Sequence, residues 1–162
     1  MPFMASSDDE MLKSIHGILA SGESRERRAR KLADAIRNFG GYTWVGVYDV
    51  TWELVSILAW SGPGAPANPT FPITKGLTGS AVAQKASVVV GDVSKDPRYL
   101  TAFGSTRSEI IVPVIDPQAQ NVVGTIDVES EQADAFSEED RRTLERCAAS
   151  AIRLWEDPSN QH

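Results

Sequence analysis

The sequence predicts an α+β domain, with a central antiparallel sheet, N-terminal and C-terminal helices on one face and a loop-covered ligand pocket on the other. Three observations carry this expectation. Apolar residues recur at helical spacing near both ends of the chain, β-rich segments with alternating character fill the middle, and a length of 162 residues suits one domain with its own core. Residues 7–156 are expected to form that domain, with short flexible ends at 1–6 and 157–162.

Ser7-Asp8-Asp9-Glu10 places acidic groups in a first helical turn, ahead of Met11, Leu12, Ile15, Ile18 and Leu19 on one face. Gly22 interrupts this helix. Ala29, Leu32, Ala33 and Ile36 then resume the period until Gly40-Gly41 stops a second helix. Tyr42 to Tyr48 and Trp52 to Trp60 are β-rich and flank Asp49-Val50-Thr51, which predicts an antiparallel hairpin. Ser61 to Pro72, rich in proline and glycine, reads as loop ending in a short strand.

Gly76 to Lys85 predicts a short helix and Ser87 to Val90 a short strand. The connection Asp92 to Thr106 is long for a compact domain, and such loops are commonly functional, so it is a candidate lid. Glu109 to Ile115 and Val122 to Glu129 form the clearest hairpin, around Asp116 to Gln120. Ser137 followed by Asp140 resembles a capping box, and Leu144, Cys147, Ala148, Ala151, Ile152 and Trp155 make the stripe of a last helix.

Strand alternation divides the sheet into two faces. Val45, Val47, Ile110, Val112, Val114, Ile126 and Val128 are uniformly aliphatic and should meet the terminal helices. Tyr42, Trp44, Tyr48, Glu109, Asp127 and Glu129 occupy the other face, with Glu109 expected opposite Asp127 or Val128. A cavity lined by aromatics and several carboxylates suits a cation, most simply an ammonium group, and disfavours phosphate.

Composition narrows the partners. A formal charge of −6 and a pI near 4.9 oppose the phosphate-neutralising surface that nucleic acid requires. The basic run Arg25 to Lys31 is interrupted by Glu26 and Ala29 and reads as a solvated helix face. No stretch approaches the ~18–20 apolar residues that span a bilayer, and Met1 to Glu10 lacks the order of a secretory signal. A cytoplasmic protein with neither nucleic-acid nor membrane partner is expected. The lone cysteine, Cys147, permits neither an internal disulfide nor a multi-cysteine metal site.

Four blocks in order resemble the free methionine-R-sulfoxide reductases, which are stand-alone GAF-domain proteins with a PAS-like fold. They are Tyr42 to Tyr48, Lys75 to Ala81, Ser108 to Val114 and Val123 to Glu129. The resemblance runs from about Asp34 to Trp155, and Phe136 to Asp140 with Leu144 is similar to the last helix of GAF domains generally. It implies a pocket for free methionine sulfoxide in which residues equivalent to Glu109, Asp127 and Glu129 and the aromatic Trp44 hold the ligand. In that family a thiolate attacks sulfur and a second cysteine resolves the sulfenic acid. The family's cysteine positions fall here at Asn68, Thr78 and Ala102, none of them a thiol. Cofactor-binding GAF branches match less well: a bilin needs a cysteine near the pocket, a haem an axial ligand, and the cyclic-nucleotide pattern a lysine that is missing. No metal or cofactor is expected.

The function this implies is a non-catalytic sensor or binding module for a small molecule, a free amino acid or another amine-bearing metabolite, held by Trp44, Tyr48, Thr78, Glu109, Asp127 and Glu129. The alternatives are a free methionine-R-sulfoxide reductase or degenerate relative, and a dimerising signalling module with a vestigial pocket. A homodimer through the terminal helices is expected, with Trp155 and the apolar face of the first helix supplying the surface, and any output would pass to another signalling protein.

Overall fold

The computed structural model describes residues 6–100 and 104–156. In chain order the elements are α1 (Ser7–Ala20), α2 (Arg25–Gly40), β1 (Trp44–Val50), β2 (Leu54–Ser61), β3 (Thr70–Pro72), α3 (Gly76–Gln84), β4 (Val88–Val90), a 3-10 turn (Val93–Lys95), β5 (Ser108–Ile115), β6 (Val122–Ser130), α4 (Glu138–Ala151) and α5 (Arg153–Glu156). One six-stranded sheet runs in the order β3-β2-β1-β6-β5-β4, with every neighbouring pair antiparallel. The expected α+β architecture is therefore the observed one.

The helices begin where side chains can accept their free amides. Ser6 accepts from the N–H of Asp9, Ser24 from that of Arg27, and Ser137 with Asp140 completes a reciprocal capping box. Ser6 thus caps α1 from just outside the helix, while residues 1–5 and 157–162 of the two ends expected to be flexible lie outside the described residues. All seven aliphatic residues of the inner face are buried in one core with Leu12, Ile15, Leu19, Leu32, Ile36, Leu144 and Cys147 of the terminal helices. Each side chain of that size stabilises by about 1.5–3 kcal/mol when fully buried.

Three expectations change. Tyr42 does not share the face of Trp44: it precedes the strand, and its ring packs on Phe136 in the helix-side core. The first hairpin turns at Thr51 to Glu53, later than Asp49 to Thr51, because the Thr51 side chain accepts from the N–H groups of Glu53 and Leu54 and fixes the bend there. Glu109 pairs with Glu129, not with Asp127 or Val128, because the ladder is irregular between Val114 and Ile115 and an extra residue on β6 shifts the register.

The basic run is only partly a solvated face. Arg28 is buried and donates to the carbonyls of Leu19 and Glu23. Arg25 donates to both oxygens of Asp49 and to the carbonyl of Leu154, and its guanidinium lies 5.2 Å from the Trp155 ring centre. Trp155 donates in turn to Asp49 at 2.8 Å. This cluster joins α2, β1 and α5. Trp155, partly buried, and the apolar face of α1 pack against the core of the same chain. Among the described residues no helix is long and apolar enough to cross a membrane.

Candidate functional site

The other face of the sheet carries the predicted carboxylates. Asp127 and Glu129 are two residues apart on β6, so both point the same way, and Glu109 on β5 lies directly across from Glu129. Across the other edge of β6, Trp44 pairs with Glu129, Gly46 with Asp127 and Tyr48 with Thr125. Register alone therefore gathers three carboxylates beside two aromatic rings.

Helix α3 and the connection after β4 close over them. Thr78, in the first turn of α3, donates from Oγ1 to Asp127 Oδ2 at 3.2 Å. Tyr99 donates its hydroxyl to Glu129 Oε1 at 3.3 Å, and Leu100 reaches the cavity wall, so the segment expected to act as a lid does lie on this face. Residues 101–103 lie outside the described residues.

Between these elements is a cavity of about 20 Å³ open to the centre of a water-sized sphere, enough for about one water. Tyr48, Thr78, Glu109 and Asp127 of the predicted set line it, together with Asn68, Phe71, Leu77 and Leu100. Glu129 and Trp44 are wholly buried behind this lining. Trp44 donates from Nε1 to the Gly64 carbonyl at 3.0 Å, which pins the Pro-rich loop carrying Asn68. Its ring crosses directly above Gly46, where a Cβ would come within 2.4 Å of it.

Asn68 and Thr78, two of the positions at which the resemblance places cysteines, do face the cavity. Ala102, the third, lies outside the described residues. Cys147 is buried in the core on the opposite face of the sheet, and burial pushes its thiol up to about 12. Phe71, Leu77 and Leu100 were not foreseen as lining. Phe71 belongs to a three-residue strand, and nothing local marks a Leu in a long loop as a cavity wall.

Burial dominates the electrostatics. It pushes Asp127 from its ordinary 3.8 up to about 7, with the neighbouring Thr125 and Thr78 hydroxyls opposing the shift. Glu129 rises to about 8, again through burial first; Thr106 opposes, the Asp127 charge adds, and the Tyr99 hydroxyl opposes. Neither the Thr106 nor the Thr125 hydroxyl makes a hydrogen bond of normal geometry among the described residues. Glu109 is raised well above its ordinary value by burial, then by Glu129 and Asp127. Among the described residues, no cationic side chain contributes to any of the three, and Asp127 Oδ1 and Glu129 Oε2 are buried without a hydrogen-bond partner. Such a cluster holds protons near neutrality and gains from any donor-rich cation that replaces them.

Among the described residues, no group of histidine, cysteine or acidic side chains is placed to hold a metal ion. At the opposite wall, Gly76, Leu77 and Thr78 open α3, whose first-turn N–H groups have no intrahelical acceptor. The cavity therefore has carboxylates along the sheet and the first turn of α3 along its other wall.

Comparison with known proteins agrees with this architecture. GAF domain-containing protein A of Dictyostelium discoideum is 28% identical over 137 residues, covering 84% of each chain. The free methionine-R-sulfoxide reductase of Saccharomyces cerevisiae is 33% identical over 109 residues, 65% of this chain and 58% of that protein. A free methionine-R-sulfoxide reductase from Neisseria meningitidis, solved with its substrate, superposes with a TM-score of 0.83 at 28% identity, covering 96% of this chain and 95% of that one. The family model described as GAF domain matches residues 22–153, which hold the whole sheet with α2, α3 and α4, and the chain belongs to the GAF domain family.

Proposed function

We propose that this protein is a non-catalytic binding or sensor domain for a free amino acid or another small amine-bearing metabolite. The observation that carries the reading is the buried, unneutralised carboxylate cluster at an aromatic cavity. An ammonium group donates to such carboxylates and is attracted by the face of Tyr48, while an α-carboxylate on the same ligand suits the first-turn amides of α3. A cavity of about 20 Å³ receives only the head group. The rest of the ligand then lies where Tyr99 and Leu100 close the site, so binding moves that segment.

The second reading, sulfoxide reduction, is favoured by the similarity to proteins that bear that activity in their names. It requires a thiolate at the cavity, and the chain's one cysteine is on the far side of the sheet. Thr78 cannot perform two-electron chemistry at sulfur.

Thermal-shift and calorimetric screening of free amino acids and their oxidised forms tests the proposal. Binding is expected without reduction of free methionine-R-sulfoxide by any thiol reductant. Asp127→Asn should weaken that binding by roughly 1–3 kcal/mol, the scale of one charge-assisted contact. Turnover that disappears in Cys147→Ser would refute the reading.

A further inference from the structure

We propose that the tip of the β1–β2 hairpin and the outer side of α3 form one self-complementary surface, on which two copies of this chain pair by seating Trp52 of each in the groove beside α3 of the other.

Trp52 is the anchor. It stands between β1 and β2 and is 83% exposed, and Leu54 close by is 41% exposed. Among the described residues, the one other large hydrophobic side chain left so open is Val89, on the edge strand at the far side of the sheet. An aromatic ring of this kind buries about 150–250 Å² when it is covered, and here that area faces water. The bend does not need it, since the Thr51 side chain accepts from the N–H groups of Glu53 and Leu54 and holds the turn.

A receptor for the ring lies beside the tip. The N–H of Ile73 donates to the carbonyl of Glu53 at 2.9 Å, which ties the hairpin to the segment that leads into α3. Ile73 and Thr74 from that segment and Gly79, Ser80, Val82 and Ala83 from α3 line an open groove of about 440 Å³. Clefts of about 300–1,000 Å³ take whole small molecules, and an indole is smaller than most of these. Ile73 and Val82 make the groove apolar, while Gly79 and Ala83 leave room in it. It is distinct from the carboxylate cavity, because α3 turns Leu77 and Thr78 towards that cavity and Ser80 and Ala83 away from it.

Charge complementarity favours a second copy as the occupant. Glu53 adjoins the anchor and Lys75 precedes α3 at the groove; both are exposed, and neither forms an ion pair among the described residues. A two-fold axis sets one residue of the first copy against another of the second and repeats the contact in reverse. Seating Trp52 in the partner copy's groove therefore carries Glu53 towards Lys75 of the partner copy, at both ends of the interface. Two seated rings, with the groove surface they cover, approach the roughly 1,000 Å² at which a specific interface begins, so the pairing is reversible and concentration-dependent.

Sedimentation velocity of the whole protein, with tryptophan emission recorded on the same samples, tests the proposal from about 1 to about 200 µM, a span that brackets a dissociation constant in the micromolar range. A monomer–dimer equilibrium is expected, with emission moving to shorter wavelength as Trp52 leaves water. Trp52→Ala empties the groove and Ala83→Arg obstructs it. Both positions are exposed, so each variant should keep the wild-type melting temperature of the dilute protein while associating roughly tenfold or more weakly, as loss of a buried aromatic anchor implies. Glu53→Lys and Lys75→Glu should each weaken association severalfold, and the two together should restore it. A monomer throughout the range would overturn the proposal. So would a dimer that survives Trp52→Ala or Ala83→Arg, which would place the contact on another face, or a double charge exchange that associates no better than either single one.

Discussion

Asp127→Asn should stabilise the ligand-free protein at alkaline pH even though it damages the proposed site. Burial raises this carboxyl from 3.8 to about 7, so the folded state holds its proton more tightly than the unfolded state does. Its contribution to stability is greatest below about pH 4, falls as pH rises, and is lost once pH passes the folded value near 7. At 1.36 kcal/mol for each decade, the ionised group costs about 4 kcal/mol by pH 8. Asparagine has nearly the same shape and no charge to bury. The two proteins should therefore melt within a few degrees of each other at pH 4.5, whereas at pH 8 the variant should melt about 10 °C higher, taking about 2–4 °C per kcal/mol for a domain of this size. Removing one charge also eases Glu109 and Glu129, which acts in the same direction. Calorimetric melts across that pH range, without amines in the buffer, measure the difference. A variant less stable than wild type by the same amount at both pH values would show that the carboxyl serves as a hydrogen-bonding group and not as a buried charge.

Other substitutions separate packing from chemistry. Gly46→Ala places a methyl 2.4 Å from the Trp44 ring and 2.9 Å from that of Tyr48, and should destabilise by about 1–3 kcal/mol in denaturant titration. Cys147→Ser buries a hydroxyl in the helix-side core, with an expected loss of about 1–3 kcal/mol and unaltered ligand affinity by calorimetry. Arg25→Ala removes the bidentate contact to Asp49 and the stacking on Trp155; a loss of about 1–3 kcal/mol is expected, with early exchange of the α5 amides by hydrogen exchange.

Much of the fold was legible because side-chain alternation and helical spacing are local properties. Val45, Val112 and Ile126 identified the helix-bearing face, and Glu109, Asp127 and Glu129 the acidic one, from parity within a strand alone. Parity fails where a strand has not begun, as at Tyr42, and register fails where a bulge adds a residue, as beside Val114. The cavity lining was harder to foresee. Phe71, Leu77 and Leu100 reach it from three separate segments, and which apolar residue of a loop turns inward depends on packing between distant parts of the chain. Arg25 shows the same limit, since its partner Asp49 lies 24 residues away on a strand that hydropathy links to no particular arginine.

The indole of Trp44 occupies space vacated by two glycines, with positions 46 and 62 both within 2.5 Å of it for an added Cβ. These three positions make one unit of heredity. A larger residue at 46 meets the Trp44 ring first and gains room once the side chain at 44 has shrunk, whereas at 62 the backbone φ of +157° and the Thr43 carbonyl at 3.1 Å oppose a side chain as well. Trp44→Leu alone should be damaging and Gly46→Ala alone should be damaging, yet the second change should do less harm in the background of the first. The wall behind the cavity is thus guarded by history as well as by packing: substitution there must pass through a less stable intermediate.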